Sequence, residues 1–214
     1  MDVTVVIPAY NAERFLGDCL RSVLTQTVGR VLVLDNASQD GTRGVAESFG
    51  VEVRAQPKPG LAPTLNLGYE AVSDEWIASC DADDLWLPEK LELQLRRLEQ
   101  DPSLDMIFCG IEQFGGATSV PISYSPHRGT MLLRRSAYEK VGPFDTSLRV
   151  GEFLDWYSRA QAAGLRQAIL PEVLYRRRIH DDNMGLRERD TSKEYLRMLK
   201  AHLDRKRAKA PDTR

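Results

Sequence analysis

The 214-residue sequence has no apolar run approaching the ~18 residues needed to span a bilayer. Its N-terminus, Met1-Asp2-Val3-Thr4, enters a strand-like run at once, without the basic segment that opens a secretory leader. Cysteine is scarce: Cys19, Cys80 and Cys109 are odd in number, lack metal-site spacing and lie in apolar or semi-apolar surroundings. That pattern argues against a disulfide framework and for buried, reduced thiols. A surplus of charge is missing too. The formal net is -2, so no global field draws the chain to nucleic acid or to a membrane. No G-x-G-x-x-G follows the first strand-like run, and no Gly-rich loop with a basic residue is there to grip a triphosphate. Both absences argue against dinucleotide oxidoreductases and nucleotidyltransferases. These features together predict a cytoplasmic protein with no nucleic-acid partner. The basic C-terminal tail (Arg205, Lys206, Arg207, Lys209) reads either as a solvated helix face or as a peripheral contact with anionic lipid at the inner membrane face.

What is present is ordinary in bulk and ordered in pattern. Hydrophobic residues at 42% and charged residues at 28% suit a globular protein with one substantial core. Apolar runs at Val3 to Ile7, Val31 to Leu34, Val51 to Ala55 and Glu75 to Ser79 alternate with helix-period segments at Asn11 to Gln26, Asp40 to Gly50 and Pro63 to Val72. That order predicts an α/β fold: a mostly parallel, twisted sheet with helices on both faces. Beyond it, Pro88 to Glu99 reads as a helix, Asp105 to Ile111 and Met131 to Leu133 as strands, and Glu152 to Ala163 as a helix ended by Gly164. Ala168 to Arg177 reads as a strand interrupted by Pro171, and about Glu188 to Lys206 as a last helix. Between Phe114 and Arg128 the periodicity fades into a loop or irregular hairpin over the site. No repeat and no linker divides the chain, so 1–214 is read as one domain.

The acidic run Asp81-Ala82-Asp83-Asp84 directly follows a strand-like run. Carboxylates so crowded repel one another and lose hydration, which a divalent cation carrying phosphate oxygens would offset. An acidic turn with Asp as a helix cap is the bland alternative. Strand ends in a parallel sheet share one edge, so Pro8-Ala9-Tyr10-Asn11 and Asp35-Asn36 would lie beside this run. There, Asp35 has the chemistry to accept a uracil or thymine imide N–H while Tyr10 packs on the ring. The corresponding plain roles are Asn11 as helix cap, Asp35-Asn36 as turn and Tyr10 as rim packing.

The sequence Val3-Thr4-Val5-Val6-Ile7-Pro8-Ala9-Tyr10-Asn11, then Asp35 to Thr42, then Asp81 to Asp84 resembles the family 2 glycosyltransferases of GT-A fold in both wording and spacing. The likeness is strong over about 3–100 and weaker to about 183, through Val141-Gly142-Pro143-Phe144-Asp145 and Tyr175 to His180. It implies a nucleotide-sugar-binding half at 1–100 and an acceptor-side half at 101–187, followed by a C-terminal helix and basic tail at 188–214. The implied reaction is an inverting, divalent-metal-dependent transfer from a nucleoside-diphosphate sugar, most often a uridine one, to a hydroxyl acceptor. That acceptor would be a glycan, a lipid-linked molecule or a small molecule, and a homodimer is conceivable.

Residue by residue, the resemblance implies nucleotide-sugar contacts from Pro8, Ala9, Tyr10, Asn11, Asp35, Asn66, Asp81, Ala82 and Arg178. It implies Mn²⁺ or Mg²⁺ ligation by Asp83 and Asp81, completed by the late His180. Asp84 is expected to cap the helix after Pro88. Two positions depart from the pattern. In Glu152-Phe153-Leu154-Asp155-Trp156-Tyr157-Ser158-Arg159 the usual base position holds Phe153, so Glu152, with Asp155 second, is expected to take the proton from the acceptor. Leu65 stands where relatives carry Arg, leaving a contact missing or supplied by Lys58. A non-catalytic nucleotide-sugar-binding protein is the competing reading.

Overall fold

The computed structural model describes residues 2–116, 121–181 and 183. The first half runs β1 (Val3–Ala9), α1 (Leu16–Leu24), β2 (Arg30–Asp35), α2 (Thr42–Ser48), β3 (Glu52–Ala55), α3 (Leu61–Glu70) and β4 (Trp76–Ser79). After a two-residue β5 (Leu85–Trp86) and α4 (Lys90–Gln100) come β6 (Met106–Phe114), a 3₁₀ turn (Arg128–Thr130), β7 (Leu132–Arg134), α5 (Arg135–Val141), α6 (Glu152–Ala162) and β8 (Gln167–Arg178). The eight strands form one sheet in the order β3-β2-β1-β4-β7-β6-β8-β5. Strands β1 to β4 are mutually parallel, as are β6 and β8, while β7 and β5 pair antiparallel with their neighbours.

Three layers follow from the two-residue period of the strands. Val3, Val5, Ile7 and Ala9 of β1, with Val31 and Val33 of β2, pack under Leu16, Cys19, Leu20 and Val23 of α1. The opposite faces, Val6, Leu32 and Leu34, pack under Leu65 and Tyr69 of α3 in the core that also holds Trp156 of α6. Each fully buried aliphatic side chain of this kind contributes roughly 1.5–3 kcal/mol. Gly68 lets α3 approach the sheet, because a Cβ there would collide with Leu34 Cδ1 and lie 2.8 Å from Val6 Cγ1.

Helix α1 begins at Leu16, not at Asn11 as the periodicity predicts. Asn11 is held at φ 47°, and residues 11–13 are hydrogen-bonded to the 38–42 segment before the helix starts. The expected interruption of β8 is a pair of register shifts against β6, flanking Gly110 and opposite the stretch containing Pro171. α5 and β5 are additions that the hydrophobic pattern does not announce. The predicted helix at Glu188 to Lys206 and the basic tail lie outside the described residues. Among the described residues no helix is long and apolar enough to cross a membrane.

Candidate functional site

The carboxyl ends of β1, β2 and β4 lie along one edge, and the parallel run of β6 and β8 delivers Arg178 and His180 to the same edge. At the β1–β2 end, Ala9 O accepts from Asn36 N at 2.8 Å. Asn11 ties the two crossings together: its N–H donates to Ser38 Oγ at 3.1 Å and its Oδ1 accepts from Gln39 N at 2.8 Å. Asp35 is buried and its Oδ1 accepts from Ser38 N, three residues on, at 3.0 Å, which holds the turn after β2. Pro8 and Ala9 sit within the sheet, paired with Leu34 and Asp35, whereas the Tyr10 side chain stands 49% exposed at the lip. Asn11 is therefore an inter-loop tie and does not cap α1, which has no side-chain cap.

The three carboxylates after β4 take three different partners, which is how the fold separates their charges. Asp81 Oδ1 is ion-paired with Arg128, whose side chain is 7% exposed. Burial alone would raise the Asp81 pKa, but the charge of Arg128 overrides it and the group titrates below the ordinary aspartate range. Asp83 Oδ2 meets His180 Nε2 at 2.9 Å and accepts from Asn183 Nδ2 at 3.2 Å. Asp84 is buried, accepting from the Tyr175 hydroxyl at 2.7 Å and from Arg178 N at 2.7 Å. It is not the helix cap expected from sequence: α4 starts at Lys90, and the Asp84 carboxylate points back onto β8. Burial, and then the charges of Asp81 and Asp83, push its pKa up to about 8.

Arg178 clamps the acidic loop, donating through Nε to Asp83 O at 2.9 Å and through Nη2 to Asp18 Oδ2 at 3.3 Å. Its guanidinium lies between the Phe15 and Phe114 rings, at 4.9 and 4.6 Å from their centroids. The His180 ring packs on Phe15 at 4.6 Å.

Asp83 and His180, 97 residues apart in sequence, bring one carboxylate and one imidazole together. Such a pair fits a divalent ion that takes most of its shell from diphosphate oxygens and water. The expected third ligand does not join them. Among the described residues no group of three or more His, Cys, Asp or Glu side chains is assembled to hold a metal, because Asp81 is drawn to Arg128.

Glu152 opens α6 and is buried. Burial pushes its pKa above the ordinary glutamate value, the nearby Arg128 charge opposes that shift, and Asp81 adds to it. Asp155 instead braces its own helix, accepting from Arg159 Nε at 2.9 Å. Arg159 goes on to donate to Val141 O at 2.8 Å and Pro143 O at 2.7 Å. Phe153 is core, edge-on to Phe108 at 6.5 Å and stacked with Tyr157 at 5.9 Å.

Asn66 is committed to the protein itself. Its Oδ1 accepts from Phe144 N at 2.9 Å and Tyr138 Oη at 3.2 Å, and its Nδ2 donates to Phe144 O at 3.0 Å. Leu65 is buried in the core and Lys58 is exposed. The residue that sequence reasoning missed is Arg128, in the stretch where periodicity fades; an arginine directly before Gly129, beside Pro126-His127, is the only signal the chain offers.

Comparisons with known proteins bear on the family and the fold. The model of glycosyl transferase family 2 matches residues 4–153. An uncharacterized glycosyltransferase of Rickettsia typhi is 27% identical over 206 residues, covering 84% of this chain and 64% of that protein. The putative glycosyltransferase EpsE of Bacillus subtilis is 28% identical over 205 residues, covering 84% of this chain and 74% of that one. Among solved structures, S. aureus TarS 1-349 in complex with UDP-GlcNAc aligns with a TM-score of 0.82 at 18% identity, over 96% of this chain and 66% of that one. The mannosyltransferase PcManGT from Pyrobaculum calidifontis, in complex with GDP-Man and Mn²⁺, aligns with a TM-score of 0.76 at 18% identity, over 94% and 64%. The chain thus spans about two thirds of the length of several proteins it matches, and it shares their GT-A fold. With the family model running over more than half of its residues, this chain belongs to glycosyl transferase family 2.

Proposed function

We propose that the protein transfers a sugar from a nucleoside-diphosphate donor, a uridine one first, to a hydroxyl acceptor with inversion at the anomeric carbon. The observation that carries this reading is the meeting of Asp83 and His180 at the sheet edge where β1 and β2 also end. Tyr10 packs on the base and Asp35 accepts its imide N–H, with Pro8 and Ala9 forming the wall of the site and Asn11 holding the lip. Asp81 and Ala82 run along the ribose and sugar. Asp83 and His180 hold Mn²⁺ or Mg²⁺, which neutralises charge on the departing diphosphate. Arg178 keeps the acidic loop against β8, and Asn66 positions α3 through Phe144.

Glu152 is the general base and Asp155 supports its helix. A carboxylate whose pKa is raised by burial is better matched to accept a proton near neutral pH. As the acceptor oxygen bonds to the anomeric carbon, its proton passes to Glu152 and the bond to the diphosphate oxygen breaks. The acceptor is a glycan, a lipid-linked molecule or a small molecule, met by the 110–129 stretch. The protein works in the cytoplasm, alone or as a homodimer, with peripheral membrane contact through its basic tail.

The test is a transfer and donor-hydrolysis assay with Mn²⁺ across uridine, guanosine and thymidine diphosphate sugars, paired with thermal shifts for the same ligands. Stabilisation by one donor with turnover supports the reading. No stabilisation by any of them would sink it. The core placement of Phe153 favours one second reading, a nucleotide-sugar-binding protein without transfer. Stabilisation with neither transfer nor hydrolysis would select that one.

A further inference from the structure

The polypeptide leaves one feature of this site unexplained. Arg128 is 7% exposed, and one side of its guanidinium is paired with Asp81 Oδ1. Its Nη1 is buried and has no hydrogen-bond partner among the described residues. Leaving such a donor unsatisfied costs about 1–3 kcal/mol or more, and buried guanidinium groups are normally paired. The position is not slack. A Cβ on the adjacent Gly129 would collide with the Tyr175 hydroxyl, so this turn packs directly against the ring that also holds Asp84. Arg128 is thus held against Asp81, and the charge of Glu152 reaches it.

We infer that Arg128 is a contact for the sugar of the donor, with Nη1 donating to a sugar hydroxyl oxygen. This rests on the proposed function. The chemistry favours a hydroxyl over a phosphate. The diphosphate side of the site is where Asp83 and His180 meet, with Arg178 close by, whereas Arg128 is paired with Asp81. Asp81 uses only Oδ1 toward Arg128, so this one ion pair leaves Oδ2 as an acceptor and Nη1 as a donor. A hydroxyl is the group that donates to the first and accepts from the second at once, and a diphosphate oxygen has no proton to give Asp81. Gripped there, the sugar would lie between the diphosphate and Glu152, as in-line displacement requires.

The experiment compares the full chain with its Arg128→Lys variant, which keeps the charge beside Asp81 and loses the forked second amino group. Binding of UDP and GDP, and of UDP-N-acetylglucosamine and GDP-mannose, is measured with Mn²⁺ by calorimetry. For the donor that the wild type binds, Arg128→Lys should weaken the nucleotide sugar about tenfold or more and leave the bare diphosphate unchanged. Equal weakening of both, or of neither, overturns the inference while the proposed function stands. Failure of the wild type to bind any nucleoside diphosphate or nucleotide sugar of the uridine, guanosine and thymidine series overturns both. A second measurement needs no variant. Monodeoxy analogues of the bound sugar should include one that binds about tenfold worse, and uniform tolerance of every deoxy position would overturn the inference even if Arg128→Lys does not fold.

Discussion

The Tyr175 hydroxyl donates to Asp84 Oδ2 at 2.7 Å across 91 positions of sequence, and it also accepts from Asp81 N at 3.4 Å. One phenol on β8 thereby holds both ends of the acidic loop, with Arg178 N on the second Asp84 oxygen at 2.7 Å. The loop that presents Asp83 is shaped by a strand from the far end of the chain. Tyr175→Phe removes the donor and leaves a buried carboxyl oxygen without it, so stability should fall by about 1–3 kcal/mol. Urea unfolding measures the loss, and an unchanged midpoint would show that the latch is dispensable.

Glu152 and Asp155 share a helix but face different partners, and their variants should separate. Glu152→Gln should lower transfer by about 10²–10⁴-fold with donor binding retained. Asp155→Asn should mainly lower the melting temperature, because its carboxylate serves Arg159 and, through it, Val141 and Pro143. The acidic limb of the wild-type pH–rate profile should lie above the ordinary glutamate range, since burial raises the Glu152 pKa. Loss of transfer in Asp155→Asn alone would exchange the two roles.

His180→Ala should weaken Mn²⁺-dependent donor binding by at least about tenfold, the loss seen even when a ligand's supporting partner is removed. Binding without metal should change far less. Titrating Mn²⁺ at fixed nucleotide in a thermal-shift assay reads both quantities. A metal requirement that His180→Ala leaves untouched would remove this histidine from the ligand set.

Lys90 is fully buried behind the site, its Nζ 4.0 Å above the Trp86 ring and donating to Gln94 Oε1 at 3.0 Å. Burial pushes its pKa down to about 8 from 10.5. Between those values the unfolded chain keeps the proton and the folded one has released it, so stability should rise with pH across that window. Below it the charged ammonium is buried at a cost of roughly 3 kcal/mol. Lys90→Met should abolish the rise and gain about 1–3 kcal/mol at neutral pH. Chemical denaturation of both proteins at pH 7, 9 and 10.5 is the check.

Much of the 1–100 half is legible in sequence because its signals are local. The alternating faces of Val3 to Ala9 and the helical spacing of Leu16, Leu20 and Val23 identify the doubly covered sheet and its edge. The partners of the carboxylates are not legible, since each lies dozens of residues away. Asp84 reads locally as a cap and is instead an anchor for Tyr175 and Arg178. Asp81 reads locally as a metal ligand, and its pairing with Arg128, from an aperiodic stretch, is not legible. Asn66 reads as a nucleotide contact, and only the tertiary structure reveals that Phe144 takes both ends of its amide.

β8 carries Tyr175 and Arg178 into the site, with His180 two residues past its end, and it is pinned on both sides by Ile111↔Tyr175 and Trp86↔Tyr175. In such a ladder, inserting or deleting one residue turns every later side chain to the opposite face. Inserting or deleting one residue between Leu174 and Tyr175 should therefore erase the Asp84 anchor and the Asp83–His180 pair together. The 124–127 segment, beyond the Ile111↔Ser123 bridge, lies outside any strand. Length variation there is the less disruptive route to a new acceptor, so an engineer changing specificity should leave β8 at its present length and diversify that segment.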